Sequence, residues 1–226
     1  MIPYTSYSEL VLDAVKGVDY DVVVVNRAAP TTVVAIHGGL IEPLTAELAS
    51  AVADADCNLY EFRALSAGNV ERLRLPVNRF DDLRLRAMME HSQEALALLG
   101  APGMTPTVHL GGRNQTLKRA LSQALDAAGF QVAGPATPGA AHDPRRFYNL
   151  PANGGVLLEL ARGLLSELAV GSRSERLCAL VEAIRAGLAE YRVVLRDDVG
   201  RAMERFERDT QAMPPSVRRP HGHHEH

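Results

Sequence analysis

Runs of β-branched residues alternate with helical apolar stripes through the first two-thirds of the chain. Segments 21–25 (DVVVV) and 31–36 (TTVVAI) are nearly continuous β-branched runs, separated by a short stretch that holds Pro30. Such runs predict strands covered on both faces. Segment 43–53 reads as a helix, with Pro43 suited to its first turn and Leu44, Leu48 and Val52 on one stripe. The pattern then predicts a strand over 58–65, a helix over 81–91, and strands over 95–99 and 107–110. A helix over 117–128 carries Leu117, Leu121 and Leu125 at i, i+4 and i+8 and stops at Gly129. Strands over 130–133 and 156–160 complete the set. Alternating strands and helices predict an α/β fold, a mixed and mostly parallel sheet flanked by helices.

Two stretches break the pattern. Segment 134–155 is rich in Pro, Gly, Ala and Asn, which predicts a long loop, either functional or mobile. From Arg173 onward Leu177, Leu180, Ile184, Leu188, Tyr191, Leu195, Val199, Met203 and Phe206 follow helical spacing, until Pro214 ends it. The expected organisation is an α/β domain over 1–191, a helical extension over 192–213 and a disordered His-rich tail over 214–226. An apolar stripe left in water is unfavourable. Either the long helix breaks near Gly200 and folds back, or it pairs with the same segment of a second chain as a homodimer.

Composition narrows the function classes. The 226 residues carry 24 Lys and Arg against 27 Asp and Glu, a net charge of −3, so no global basic field selects nucleic acid or an anionic membrane. No apolar run approaches a bilayer span and the first residues lack a secretory pattern, so a cytoplasmic, soluble protein is expected. The two cysteines, Cys57 and Cys178, build neither a disulfide framework nor a cysteine metal site and read as reduced, buried, small hydrophobes.

Chemistry concentrates in IHGGLIEP (36–43). A buried strand ends at His37, two glycines allow a sharp turn, and Glu42 precedes a helix. Carboxyl ends of strands in open α/β sheets collect ligands and catalytic groups. A histidine and a glutamate there can supply two ligands of a catalytic zinc, which takes three from protein and keeps one position for water; a hydrogen-bonded structural histidine is the alternative. Glu159, in an otherwise apolar strand, reads as a catalytic carboxylate or as a buried partner of an arginine. Arg79, Arg113, Arg145, Arg146 and Arg162 can fork onto substrate carboxylates, or pair with Asp81, Asp82 and Asp143; one or two of the five are expected to face the pocket.

HGGLIEPLTAELA (37–49) resembles the HGGGIEPGTxEIA signature of the poly-γ-glutamate hydrolase family, zinc hydrolases related in fold to metallocarboxypeptidases. SAGN (66–69), NRFDD (78–82), VHLGG (108–112), LDAAGF (125–130), DPRRFYN (143–149) and GVLLELARGL (155–164) follow in the family's order, and the resemblance covers roughly 4–191. It implies a metallocarboxypeptidase-like (phosphorylase/hydrolase-like) fold with a helical C-terminal extension. It also implies zinc held by His37 and Glu42, and Glu159 as general base. Asn78-Arg79 resembles the pair that holds a substrate carboxylate; Arg79 or Arg145 would steady that group or the oxyanion, with Arg113 and Arg146 as further substrate contacts. The implied reaction is zinc-dependent hydrolysis of a γ-glutamyl or other carboxylate-rich amide.

Two positions depart from the family. Leu99 stands where the third zinc ligand is expected, and Arg74 where relatives commonly have histidine. Three outcomes are open. His109, His142 or His91 completes the site; metal binding is lost and the pocket binds a carboxylate ligand or protein partner, as in a pseudoenzyme; or the chemistry has changed. The tail HGHHEH can itself bind zinc or nickel loosely.

Overall fold

The computed structural model describes residues 4–169 and 175–212. In chain order the elements are α1 (Tyr7–Leu10), β1 (Tyr20–Val25), β2 (Thr31–Gly39), α2 (Thr45–Ala53), β3 (Asn58–Ala64), α3 (Val70–Leu73), α4 (Leu83–His91), β4 (Glu94–Ala101), β5 (Thr107–Gly112), α5 (Gln115–Ala127), β6 (Gln131–Ala133), α6 (Pro138–Ala141), β7 (Gly155–Ala161), α7 (Arg162–Ala169) and α8 (Glu175–Ala212). Short 3-10 turns lie at Val77–Arg79 and Phe147–Asn149. The chain divides into two compact units, Met1–Leu188 and Ala189–His226.

The first unit is built on a seven-stranded sheet in the order β1-β3-β2-β4-β7-β5-β6. β3, β2, β4 and β7 run parallel; β1 joins β3 antiparallel, and β5 joins β7 antiparallel with β6 parallel to it. The continuous apolar runs fall in the centre: eight of the nine β2 residues are buried. β1, at the edge, alternates instead. One face carries an aromatic cluster in which Tyr20 stacks on Phe62, with ring centroids 5.3 Å apart, and Tyr7 and Phe80 pack at their edges. Beneath it the Tyr60 hydroxyl donates to Asp82 Oδ2 at 2.5 Å. On α8, Leu180 and Ile184 are fully buried, and Gly187 lies so close to Leu121 of α5 that a Cβ there would sit 2.9 Å from that residue's Cα. Arg185 ties α8 to the end of α2 through Val52 O and Asp56.

Several expectations need adjustment. α2 begins at Thr45 rather than Pro43, because Leu44 takes a left-handed conformation (φ +74°) that closes the turn after Glu42. The 134–155 loop contains α6 and a 3-10 turn. α7 had no sequence forecast: its two turns directly continue β7, so no breaker marks its start. α8 runs unbroken through Gly200, so the break there, one of the two alternatives for this helix, is absent. Cys57 is buried, but Cys178 lies on the exposed side of α8. The tail 214–226 and the forecast helix start at Arg173 lie outside the described residues. No helix among the described residues is long and apolar enough to cross a membrane.

Candidate functional site at the strand ends

β2 delivers His37 to the carboxyl end of the parallel strands. Its register against β3 shifts between Ala35 and Gly38, so the strand end bulges and the next residues turn back. Glycine is required here: a Cβ on Gly39 (φ +65°) would sit 2.4 Å from Ala64 O, and one on Gly38 2.6 Å from Ala46 Cβ. The Glu42 N–H donates to His37 O at 2.8 Å, folding the glutamate under the histidine. His37 Nδ1 then faces Glu42 Oε1 at 3.2 Å. Leu75 O can only accept, so His37 Nε2, 2.7 Å away, carries the proton.

Glu42 is fully engaged. Arg74 Nη1 donates to Oε1 at 2.6 Å, while Arg74 Nη2 donates to Ile41 O at 2.7 Å. The Gly100 N–H, at the end of β4, donates to Oε2 at 2.5 Å. Gly100 makes that approach possible, since a Cβ there would lie 2.9 Å from Glu42 Cδ. Burial would push the Glu42 carboxyl up, but His37, the Gly100 N–H and Arg74 hold it below the usual carboxylate range.

Glu159 lies two strands away on β7, in register with Leu99 of β4 on one side and His109 of β5 on the other. Its Oε2 accepts the Ala136 N–H at 2.9 Å. Burial pushes its carboxyl up; the Ala136 N–H and His109 oppose that, and the negative Glu42 adds to it. Tyr148 is buried nearby, its hydroxyl pushed up to about 12 by burial, with Arg146 pulling it down and Glu159 pushing it up. Arg146 Nε is buried with no hydrogen-bond partner among the described residues.

The other expected substrate contacts are placed differently. Arg145 forks onto Asp143 (Nε–Oδ1 and Nη2–Oδ2, both 3.0 Å) and is 88% exposed, so its donors are spent on a loop contact. Arg113 follows β5, whose end pairs with the beginning of β7 (Gly112 with Val156), so it sits four residues, about 13 Å, along the ladder from Glu159. Asn78 and Arg79 are exposed on their 3-10 turn, and no contact joins them to His37, Glu42 or Glu159 among the described residues. Arg162, at the start of α7, does face the site. With Arg74 it lines a cleft of about 560 Å³, whose walls include Pro43, Pro102, Leu165 and Ser166.

These residues do not fit a zinc ion. His37 Nδ1 and Glu42 Oε1 converge as two ligands would, but Arg74 already donates to that oxygen. Leu99 offers an apolar side chain, 4% exposed. His109 Nδ1 bonds Gly134 O at 3.0 Å, His91 Nδ1 bonds Ala87 O at 2.8 Å at the far end of α4, and His142 is exposed. Among the described residues no three His, Cys, Asp or Glu side chains gather closely enough to hold a metal, so the expected set of His37, Glu42 and His109 is not brought together.

The sequence profile described as poly-gamma-glutamate hydrolase matches residues 4–176, about three-quarters of the chain. The chain belongs to the poly-gamma-glutamate hydrolase family. The structure of a bacteriophage poly-gamma-glutamate hydrolase superposes with a TM-score of 0.78 at 24% identity, covering 84% of this chain and 98% of that one. A zinc-free form of YndL gives 0.73 at 24% identity over 82% and 96%. The YndL protein of Bacillus subtilis (strain 168) is 30% identical over 112 residues, half of this chain and 44% of that protein's length. The chain therefore carries the fold of these structures over 82–84% of its length.

Proposed function

We propose that this family member binds a carboxylate-rich γ-glutamyl amide or related peptide in the cleft at the strand ends, without zinc-dependent hydrolysis. One observation carries the reading: Glu42, the glutamate implied as a zinc ligand, has both oxygens taken by Arg74 and the Gly100 N–H. Two guanidiniums, Arg74 and Arg162, line the cleft. Arg162 makes no ion pair among the described residues, so its donors are available to a ligand carboxylate. Pro43, Pro102 and Leu165 supply the apolar wall against which the ligand's methylenes would lie. Calorimetric titration of the full chain with a short γ-linked glutamate oligomer tests this. Binding should weaken about tenfold in Arg162→Ala, the loss of one charge-assisted contact. Release of free glutamate by the wild type in zinc-supplemented buffer would overturn it.

A second reading, amide hydrolysis, is favoured by Glu159. Its carboxyl is buried and pushed up, and the Ala136 N–H holds one oxygen, which leaves the other able to take a proton from water and pass it to a leaving amine. In that case Arg146 would steady the substrate carboxylate or the developing oxyanion.

A further inference from the structure

We infer that Arg74 is a built-in cation that stands where a metal would stand and keeps this site metal-independent; the inference rests on the ligand-binding reading above. The two departures at this site act in the same direction. At position 74 a guanidinium takes Glu42 Oε1 at 2.6 Å, and its second nitrogen clamps Ile41 O at 2.7 Å, so the turn that shapes the site is held by an arginine. At position 99 a donor is missing. Leu99 directly precedes the Gly100 N–H that Glu42 accepts and pairs in register with Glu159, so an apolar residue stands at that strand-end position. His37 already points Nδ1 at the same Glu42 oxygen. A divalent ion entering there would meet two donors, one of them shared, and a fixed positive charge on the shared oxygen, which repels it. The guanidinium performs the ion's structural task, neutralising the buried Glu42, but it has no open coordination position for water and cannot act as a Lewis acid.

Reversal of both departures tests the inference. In the full chain the tail histidines His221, His223, His224 and His226 are first changed to alanine, so that the tail does not compete. Zn²⁺ alone is then titrated by calorimetry, and melting is followed with and without EDTA. The background protein should bind no stoichiometric zinc and melt at the same temperature in EDTA. Arg74→His with Leu99→His should bind one zinc per chain at least about 100-fold more tightly than the background, become EDTA-sensitive, and lose both properties on His37→Ala. Should the double variant fail to fold by circular dichroism, Arg74→His alone decides, with an expected gain in zinc affinity of about tenfold. Stoichiometric zinc in the background that His37→Ala removes, or no gain in a folded variant, would overturn the inference. A background protein that holds no zinc and binds no γ-linked glutamate oligomer would instead sink the ligand-binding reading and leave the role of Arg74 standing.

A separate observation concerns α8. The solved phage hydrolase is covered over 98% of its length by 84% of this chain, so the family fold is complete without all of this sequence. Val199, Met203 and Phe206, at i, i+4 and i+7, form an apolar stripe in the second unit, and each is more than half exposed. Its flanks mix signs: Arg196, Arg201, Arg205 and Arg208 interleave with Asp197, Asp198, Glu204, Glu207 and Asp209. A stripe so flanked selects neither an acidic nor a basic partner, but it complements a second antiparallel copy of itself. The geometry points to a second copy of this chain as its occupant. Light scattering should give twice the 24.4 kDa chain mass for the full chain, falling to one chain in Phe206→Asp. A wild type that stays monomeric across a dilution series would overturn this.

Discussion

Arg74 and Glu42 are 32 residues apart in sequence, yet their side chains meet at 2.6 Å at the mouth of the cleft. The arginine comes from the turn after α3, and the glutamate from the tight turn after β2. Each terminates the polar needs of the other: Glu42 is 11% exposed at its side chain, Arg74 38%.

Arg74→Ala should therefore destabilise the fold by about 1–3 kcal/mol. A wholly buried pair broken at one end costs about 3–5 kcal/mol, and the partial exposure of Arg74 lets solvent screen part of that loss. Urea denaturation measures it. Glu42→Gln in the Arg74→Ala background should recover part of the loss, because it removes the unpaired charge.

Gly100→Ala should cost about 1–3 kcal/mol and displace the Glu42 carboxylate, since the added Cβ would sit 2.9 Å from Glu42 Cδ. The same titration with γ-linked glutamate oligomer should show weaker binding. Unchanged stability and affinity would mean that the carboxylate moves aside freely.

Acid should expose the bond network under the aromatic cluster. Burial alone would raise the Asp82 carboxyl, but hydrogen bonds from the Arg84 side chain, the Tyr60 hydroxyl and the Arg84 N–H hold it below its ordinary value. With the folded value depressed, this group's contribution is fully present above about pH 4 and is lost as pH falls through the folded value. Asp82→Asn should flatten the acid limb of a melting-temperature profile and leave its slope near neutrality unchanged.

Glu159→Gln should have the opposite sign. The carboxyl is pushed up in the folded state, so above its ordinary value ionisation weakens the fold. The isosteric amide oxygen can still accept the Ala136 N–H. Stability at pH 7 should rise slightly, by less than about 1 kcal/mol. If the hydrolytic reading holds, turnover of a γ-glutamyl amide falls by at least about 100-fold in the same variant.

What the amino-acid sequence determined by itself was local and periodic. β-branched runs and 3.6-residue stripes placed the strands and the longer helices to within a few residues, because burial on two faces and burial on one face leave different spacings. The His37–Glu42 turn was equally legible, since the two glycines and the following proline allow few backbone paths. Direction and distance were not. Arg113 looks like a site residue beside a strand end until β5 is seen to run antiparallel to β7, and strand direction is set by the crossovers rather than by composition. Arg145 looks available until Asp143, two residues away, takes its fork. Arg74 read only as a departure from its relatives; that it reaches Glu42, and so decides what the site can hold, depends on two turns distant in sequence packing side by side. Contacts of that kind follow from how the whole sheet closes, and only the tertiary structure could decide them.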